Sequence, residues 1–270
     1  MKLEILHRTI YRYGSAPRRA VQTLRLSPGD SAHQQVLSWQ LRASGVLQAH
    51  QDTWGNPSHL LTCERPTLWL RSESQGIVET RTCAELIDPN GPPPMLYRRD
   101  SALATSHPEL LALADAALGQ SSRVDRHAPQ QGDLLALAQA VTDAVRYGGG
   151  QTDANTSALQ ALHAGQGVCQ DHAHVFIAVC RSLGLAARYV SGYFHAPDAP
   201  RLASHAWAEV CIDEVARRWL SIDVTHACLI DERHVRLAVG PDYAACPPVV
   251  GVRSGGGAET MEVQVEVRAV

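Results

Sequence analysis

The spacing of apolar residues changes character along this chain, and that change limits its architecture more than any single motif. From Met1 to about Thr82 the period is two: Leu37, Trp39 and Leu41 fall on one face, and Ser38, Gln40 and Arg42 on the other, as in a half-buried antiparallel sheet. Turn residues punctuate it at Ser27-Pro28-Gly29-Asp30 and at Trp54-Gly55-Asn56-Pro57, the second a hairpin connection. The stretch Asp88-Pro89-Asn90-Gly91-Pro92-Pro93-Pro94 then ends regular structure, because successive prolines fix φ and remove donors. Helical spacing follows over Pro108 to Leu118 and Asp133 to Tyr147, where Leu134, Leu137, Val141 and Val145 form one stripe. The tail alternates again: Met261, Val263, Val265 and Val267 oppose Glu262, Gln264, Glu266 and Arg268, so it reads as a half-buried strand closing a sheet edge. The expected class is α+β: an N-terminal antiparallel β domain over residues 1–87, a linker and helical connection over 88–131, and a core over 132–270 with a C-terminal strand.

A chain of 270 residues with 45% hydrophobic side chains can bury a core without staples. Its seven cysteines are odd in number and scattered, without the paired spacings of a zinc ribbon or a secreted disulfide framework, and read as mostly reduced, buried thiols. A net charge of −3 and a pI near 6.5 supply no clustered Lys/Arg excess, which argues against nucleic acid and anionic membranes as partners. Small molecules, peptides and proteins remain. Met1-Lys2-Leu3-Glu4-Ile5 places a charge at every second position, and no stretch approaches the roughly 20 apolar residues of a membrane span, so a cytoplasmic location is expected.

The chemistry begins after a short helix around Ser157 to His163 that ends at Gly165 and Gly167. Gly167-Val168-Cys169-Gln170-Asp171 places a cysteine where a turn opens a helix with Ala173, Phe176, Ile177, Cys180 and Leu183 on its apolar face, stopped by Gly184. A thiol there meets free backbone N–H groups and the positive end of the helix dipole, which favour thiolate and can hold an oxyanion. Cys180 and Cys211 sit in apolar patterns and read as packing residues; Cys63, Cys83, Cys228 and Cys246 read as structural.

Downstream, Ser204 to Ile212 alternates as a strand with His205, Trp207, Glu209 and Cys211 on one face. In Trp219-Leu220-Ser221-Ile222-Asp223-Val224-Thr225 the apolar Leu220 and Ile222 oppose Trp219, Ser221, Asp223 and Thr225. Paired as a hairpin, the two strands let Asp223 accept a hydrogen bond from one nitrogen of His205 while the other nitrogen faces the thiol.

Gly167 to His174, Arg188-Tyr189-Val190-Ser191-Gly192-Tyr193, Ser204-His205-Ala206-Trp207 and Ser221-Ile222-Asp223-Val224-Thr225 together resemble the bacterial transglutaminase-like proteins. The β-rich first segment resembles the N-terminal domain that accompanies that core, and Asp242-Tyr243 with Pro247-Pro248-Val249 its C-terminal segment. The resemblance implies a papain-like α+β core, a Cys169-His205-Asp223 triad and thioester chemistry on amides. The sequence departs from the family pattern at His172, where a bulky apolar residue is usual, and at Val224, where a proline is usual.

Thirteen histidines invite a metal reading. His172 and His174, two apart on a helix, point about 200° from each other and cannot both chelate one ion, so neither a metal nor a cofactor is expected. Gln170, Asp171 and Trp207 are candidates for substrate or oxyanion contact; the alternatives are helix-dipole complementation for Asp171 and a cleft wall or core position for Trp207. Gly148-Gly149-Gly150 lacks the Lys-Ser/Thr of a phosphate loop. The expected enzyme attacks a peptide or protein amide through a thioester and passes the acyl group to water as a peptidase or amidase. The alternatives are transfer to an amine, as in a protein-glutamine transglutaminase, and a peptide-binding protein without catalysis.

Overall fold

A computed structural model describes residues 1–119, 124–125, 128–197 and 204–270. The first layer contains two four-stranded antiparallel sheets. One has the order β16 (Glu259–Ala269), β1 (Lys2–Tyr13), β6 (Trp69–Thr80), β3 (Gln34–Ala43); the other has β15 (Val249–Ser254), β2 (Arg19–Leu24), β5 (Pro57–Cys63), β4 (Val46–Gln51). The turn at Trp54 to Pro57 joins β4 to β5, and Asp52 braces it by accepting the backbone N–H groups of Trp54 and Asn56, each at 2.9 Å.

The second layer is a sheet in which β13 (Cys228–Leu229), β12 (Arg218–Asp223), β11 (Ser204–Asp213), β10 (Ala187–Phe194) and β14 (His234–Gly240) lie side by side, with β7 (Glu85–Ile87) also on β12. Helix α4 (Cys169–Ser182) lies on this sheet, with α1 (Pro108–Leu118), α2 (Gln131–Ala144) and α3 (Ala158–Ala164) packed around it. Ser157 caps α3 together with Gln160, and Gly165 ends it at φ 62°.

Four expectations need correction. Leu37 does not share a face with Trp39 and Leu41, because a bulge between Val36 and Ser38 turns it outward to 46% exposure. The second helix ends at Ala144, since Arg146 and Gly148 instead donate to the carbonyls of Gly165 and Gly167 in a parallel ladder of β8 (Arg146–Tyr147) with β9 (Gln166–Gly167). The tail closes an edge of the first layer, where β16 pairs with β1 and β15 with β2, rather than ending the core; conversely β7, from the first 87 residues, pairs with β12. Finally, α4 does not present one apolar stripe: every residue from Asp171 to Arg181 is buried, because helices cover the side away from the sheet.

Each large apolar side chain buried there, such as Phe176, contributes roughly 1.5–3 kcal/mol. The buried guanidinium of Arg181 donates to the carbonyls of Tyr97, Ala104, Ala187 and Pro241, tying the linker to the end of the helix. The two layers share a junction in which Leu3, Ile5 and Val78 pack with Tyr193, Val235 and Leu237. That junction lies beside the N-terminus of α4.

Candidate active site

Cys169 is the first residue of α4 and is partly exposed. The turn before it is held by Asp171, whose Oδ2 accepts the Val168 N–H and the Thr152 hydroxyl, both at 2.7 Å. With only 1% of its surface exposed, Asp171 serves the helix end and the Thr152 loop. Gln170 reaches the Asp153 carbonyl at 3.4 Å.

His205 comes from β11, directly opposite Gly192 of β10. Glu209 pairs with Ser221 across β11 and β12, a register that puts Asp223 on the face carrying His205. The His205 Nε2 donates to Asp223 Oδ2 at 2.9 Å, which leaves Nδ1 for the thiol. Burial alone would lower the His205 pKa, but hydrogen bonds to Asp223 and Cys169 outweigh it and raise the imidazole to about 10. Burial likewise works against the Asp223 carboxylate, yet hydrogen bonds from His205, His226 and His234 hold it well below the usual carboxylate range. Cys169 and His205 line the same cavity, of about 310 Å³.

The sequence matches the Transglutaminase-like superfamily over residues 119–224 and the Bacterial transglutaminase-like N-terminal region over residues 3–79. An uncharacterized protein of Mycobacterium tuberculosis is 30% identical, the alignment covering 93% of this chain and 87% of the relative. The chain belongs to the transglutaminase-like superfamily. An uncharacterized protein of Mycobacterium leprae is 28% identical over 98% of both chains. The crystal structure of a candidate cysteine protease from Cytophaga hutchinsonii matches 99% of this chain and 90% of its own with a TM-score of 0.78 at 21% identity, which establishes the α+β fold with its papain-like core.

In this transglutaminase-like protein, Trp207 is fully buried behind the candidate histidine, its ring 6.2 Å from that of His205 and 5.4 Å from that of His234. It forms the back wall, not the cavity surface. His172 and His174 diverge as helix geometry requires. The first bonds the Val145 carbonyl at 2.8 Å and the Thr225 hydroxyl at 3.2 Å; the second accepts the Tyr243 N–H at 3.1 Å. The six other cysteines are free thiols. Burial pushes Cys180 and Cys246 up, and Cys211 and Cys228 up to about 11.

Sequence reasoning left two further imidazoles out of the site. Asp223 Oδ2 also accepts His226 Nδ1 at 2.6 Å and His234 Nε2 at 3.0 Å, and Phe194 packs against the rings of His205, His226 and His234. His226 stands three residues after the acid, a spacing the sequence displays. His234 lies on β14 beyond a loop and gives no local signal. Among the described residues, His205, Asp223 and His234 bring potential ligand atoms within 4.8 Å of one another; the hydrogen bonds from both imidazoles to one carboxylate oxygen account for that closeness.

Proposed function

We propose that this chain is a cysteine hydrolase of amide bonds, with Cys169 as nucleophile, His205 as general base and acid, and Asp223 as the group that orients His205. The observation that carries the reading is that Cys169, at a helix N-terminus, and His205, fixed through Nε2 by a buried carboxylate, line one cavity. Attack of the Cys169 thiolate forms an S–C bond to the carbonyl carbon; the C–N bond breaks as the amine leaves with a proton from His205. Water then loses a proton to His205, attacks the thioester and releases the acid, restoring the thiol. The N–H groups of the first turn of α4 supply oxyanion stabilisation.

Water is the simpler acceptor, because hydrolysis of the thioester needs no second bound substrate. Product analysis by mass spectrometry, with a panel of peptide and glutaminyl amides incubated with and without a primary amine, tests this. Hydrolysis products should dominate and vanish in Cys169→Ala. Amine adducts in excess at modest amine concentration would overturn hydrolysis in favour of transfer, and turnover persisting in Cys169→Ala would remove the nucleophile.

A further inference from the structure

Beside Cys169 the cavity is built by both layers. Its floor comes from the core, with Tyr193 and Leu237, and its opposite wall from the first layer, with His7 and Thr9 of β1 and Met261 and Val263 of β16. Met261 and Val263 are 58% and 47% exposed, so two apolar side chains of an edge strand stand uncovered at the mouth. Among the described lining residues there is no Asp, Glu, Lys or Arg.

The polar atoms of the first-layer wall are already engaged with one another. His7 Nδ1 meets the Tyr193 hydroxyl at 3.0 Å, and His7 Nε2 meets the Thr9 hydroxyl at 3.4 Å. Burial lowers the His7 imidazole to about 4, so it is neutral at physiological pH. Away from the Cys169–His205 pair, a charged ligand group would lose its water here and find no counter-ion, whereas an apolar group gives up nothing.

A second hollow, of about 390 Å³, adjoins the cavity at Ser204 and His205, lined also by Tyr147, Phe194, Thr225 and His226 but not by Cys169. The acyl group, bonded to sulfur in the thioester, belongs in the cavity that contains Cys169. The departing amine, which takes its proton from His205, belongs in the hollow that His205 lines without Cys169.

We propose that the cavity between Cys169 and the first β layer is the acyl-side subsite, and that it selects amides whose acyl residue carries a bulky, uncharged, apolar side chain. This rests on the catalytic reading above and assigns the first layer a role in specificity. Roughly 310 Å³ accommodates an aromatic or branched aliphatic side chain.

N-acylated chloromethyl ketones of phenylalanine, leucine, glycine, glutamate and lysine test it. In each, the thiolate forms a C–S bond as the C–Cl bond breaks and chloride leaves. Rates at Cys169, located by peptide mapping, are divided by the rate for iodoacetamide, which needs no subsite. The phenylalanyl and leucyl reagents should exceed the glycyl reagent by about tenfold or more, and the charged reagents should fall below it. In Met261→Glu/Val263→Glu the phenylalanyl ratio should drop about tenfold; the single change Met261→Gln, at an exposed position, should lower it in the same direction if the double variant does not fold. Equal normalised rates for all five reagents would overturn the subsite and leave the nucleophile standing. Failure of iodoacetamide to label Cys169 would overturn the catalytic reading and the subsite with it.

Discussion

One oxygen of Asp223 faces three imidazole N–H groups, at 2.9, 2.6 and 3.0 Å from His205, His226 and His234. A buried neutral oxygen could not balance that many donors, one of them on an imidazole raised to about 10; the full carboxylate charge can. His234 is itself fixed, its Nδ1 lying 3.1 Å from Asp231 Oδ1, so Asp223 is gripped from the side away from the cavity. Asp223→Asn should therefore keep the fold but lose turnover by about 10³-fold or more, as expected when an orienting carboxylate becomes an amide. The His205 imidazole should titrate well below 10 in that variant by NMR. Unchanged turnover would exclude Asp223 from the proposed triad. At this scale the sequence marked Cys169, His205 and Asp223 as candidates because each occupies a recognisable place: a helix start after glycine, and two alternating strands. It did not show His234, because β14 reaches Asp223 only through the folding of the sheet.

Strand β10 runs between β11 and β14, and its tightest point is Gly192, opposite His205. A Cβ there would stand 2.3 Å from the Val235 carbonyl oxygen and 2.4 Å from the Trp207 ring. Both neighbours are buried in the sheet, so neither can swing clear. Gly192→Ala should cost about 1–3 kcal/mol by overpacking, read as a lower urea midpoint, and should change the Trp207 environment in the fluorescence spectrum. A midpoint equal to the parent's would mean that the sheet relaxes around the added methyl. Elements were legible where their period held: α1 matches its expected limits of Pro108 to Leu118. Periodicity cannot reveal a bulge, as at Leu37 on β3 or at the register shift between Ser191 and Gly192 on β10, because the inserted residue has no distinctive side chain. Nor does it reveal the ladder that ends α2 at Ala144, since that depends on a glycine-rich turn twenty residues away.

For the whole molecule, alternation identified the tail as a strand without naming its partner, and the choice between layers was settled by pairing with β1, eleven residues in register from Leu3↔Ala269 to Tyr13↔Glu259. The same assembly buries imidazoles in opposite electrostatic settings, which gives the fold a defined pH optimum. His7 is buried without a compensating charge and His174 with the Asp242 carboxylate only partly offsetting the cost, and burial lowers both from the ordinary 6.5 to about 4. Between those pH values the unfolded chain binds protons that the folded one refuses, so their contribution, present above 6.5, is lost as pH falls to 4. Each accounts for roughly 3 kcal/mol over the full window. His205 runs the other way: despite burial, its hydrogen bonds to Asp223 and Cys169 raise it to about 10, so its contribution is complete below 6.5 and disappears as pH rises to 10. Depressed carboxylates such as Asp223 lose their contribution only below the ordinary carboxylate range, under the acid limb set by the two histidines. Stability should peak near pH 6.5 and decline on both sides, measured as urea midpoints at pH 4.5, 6.5 and 9.5. His174→Gln should flatten the acid limb, and Asp223→Asn the alkaline one, by lowering the folded-state affinity of His205 for its proton. A midpoint that held constant from pH 6.5 to 4.5 would show that His7 and His174 titrate normally in the folded protein, and that the packing around them admits water.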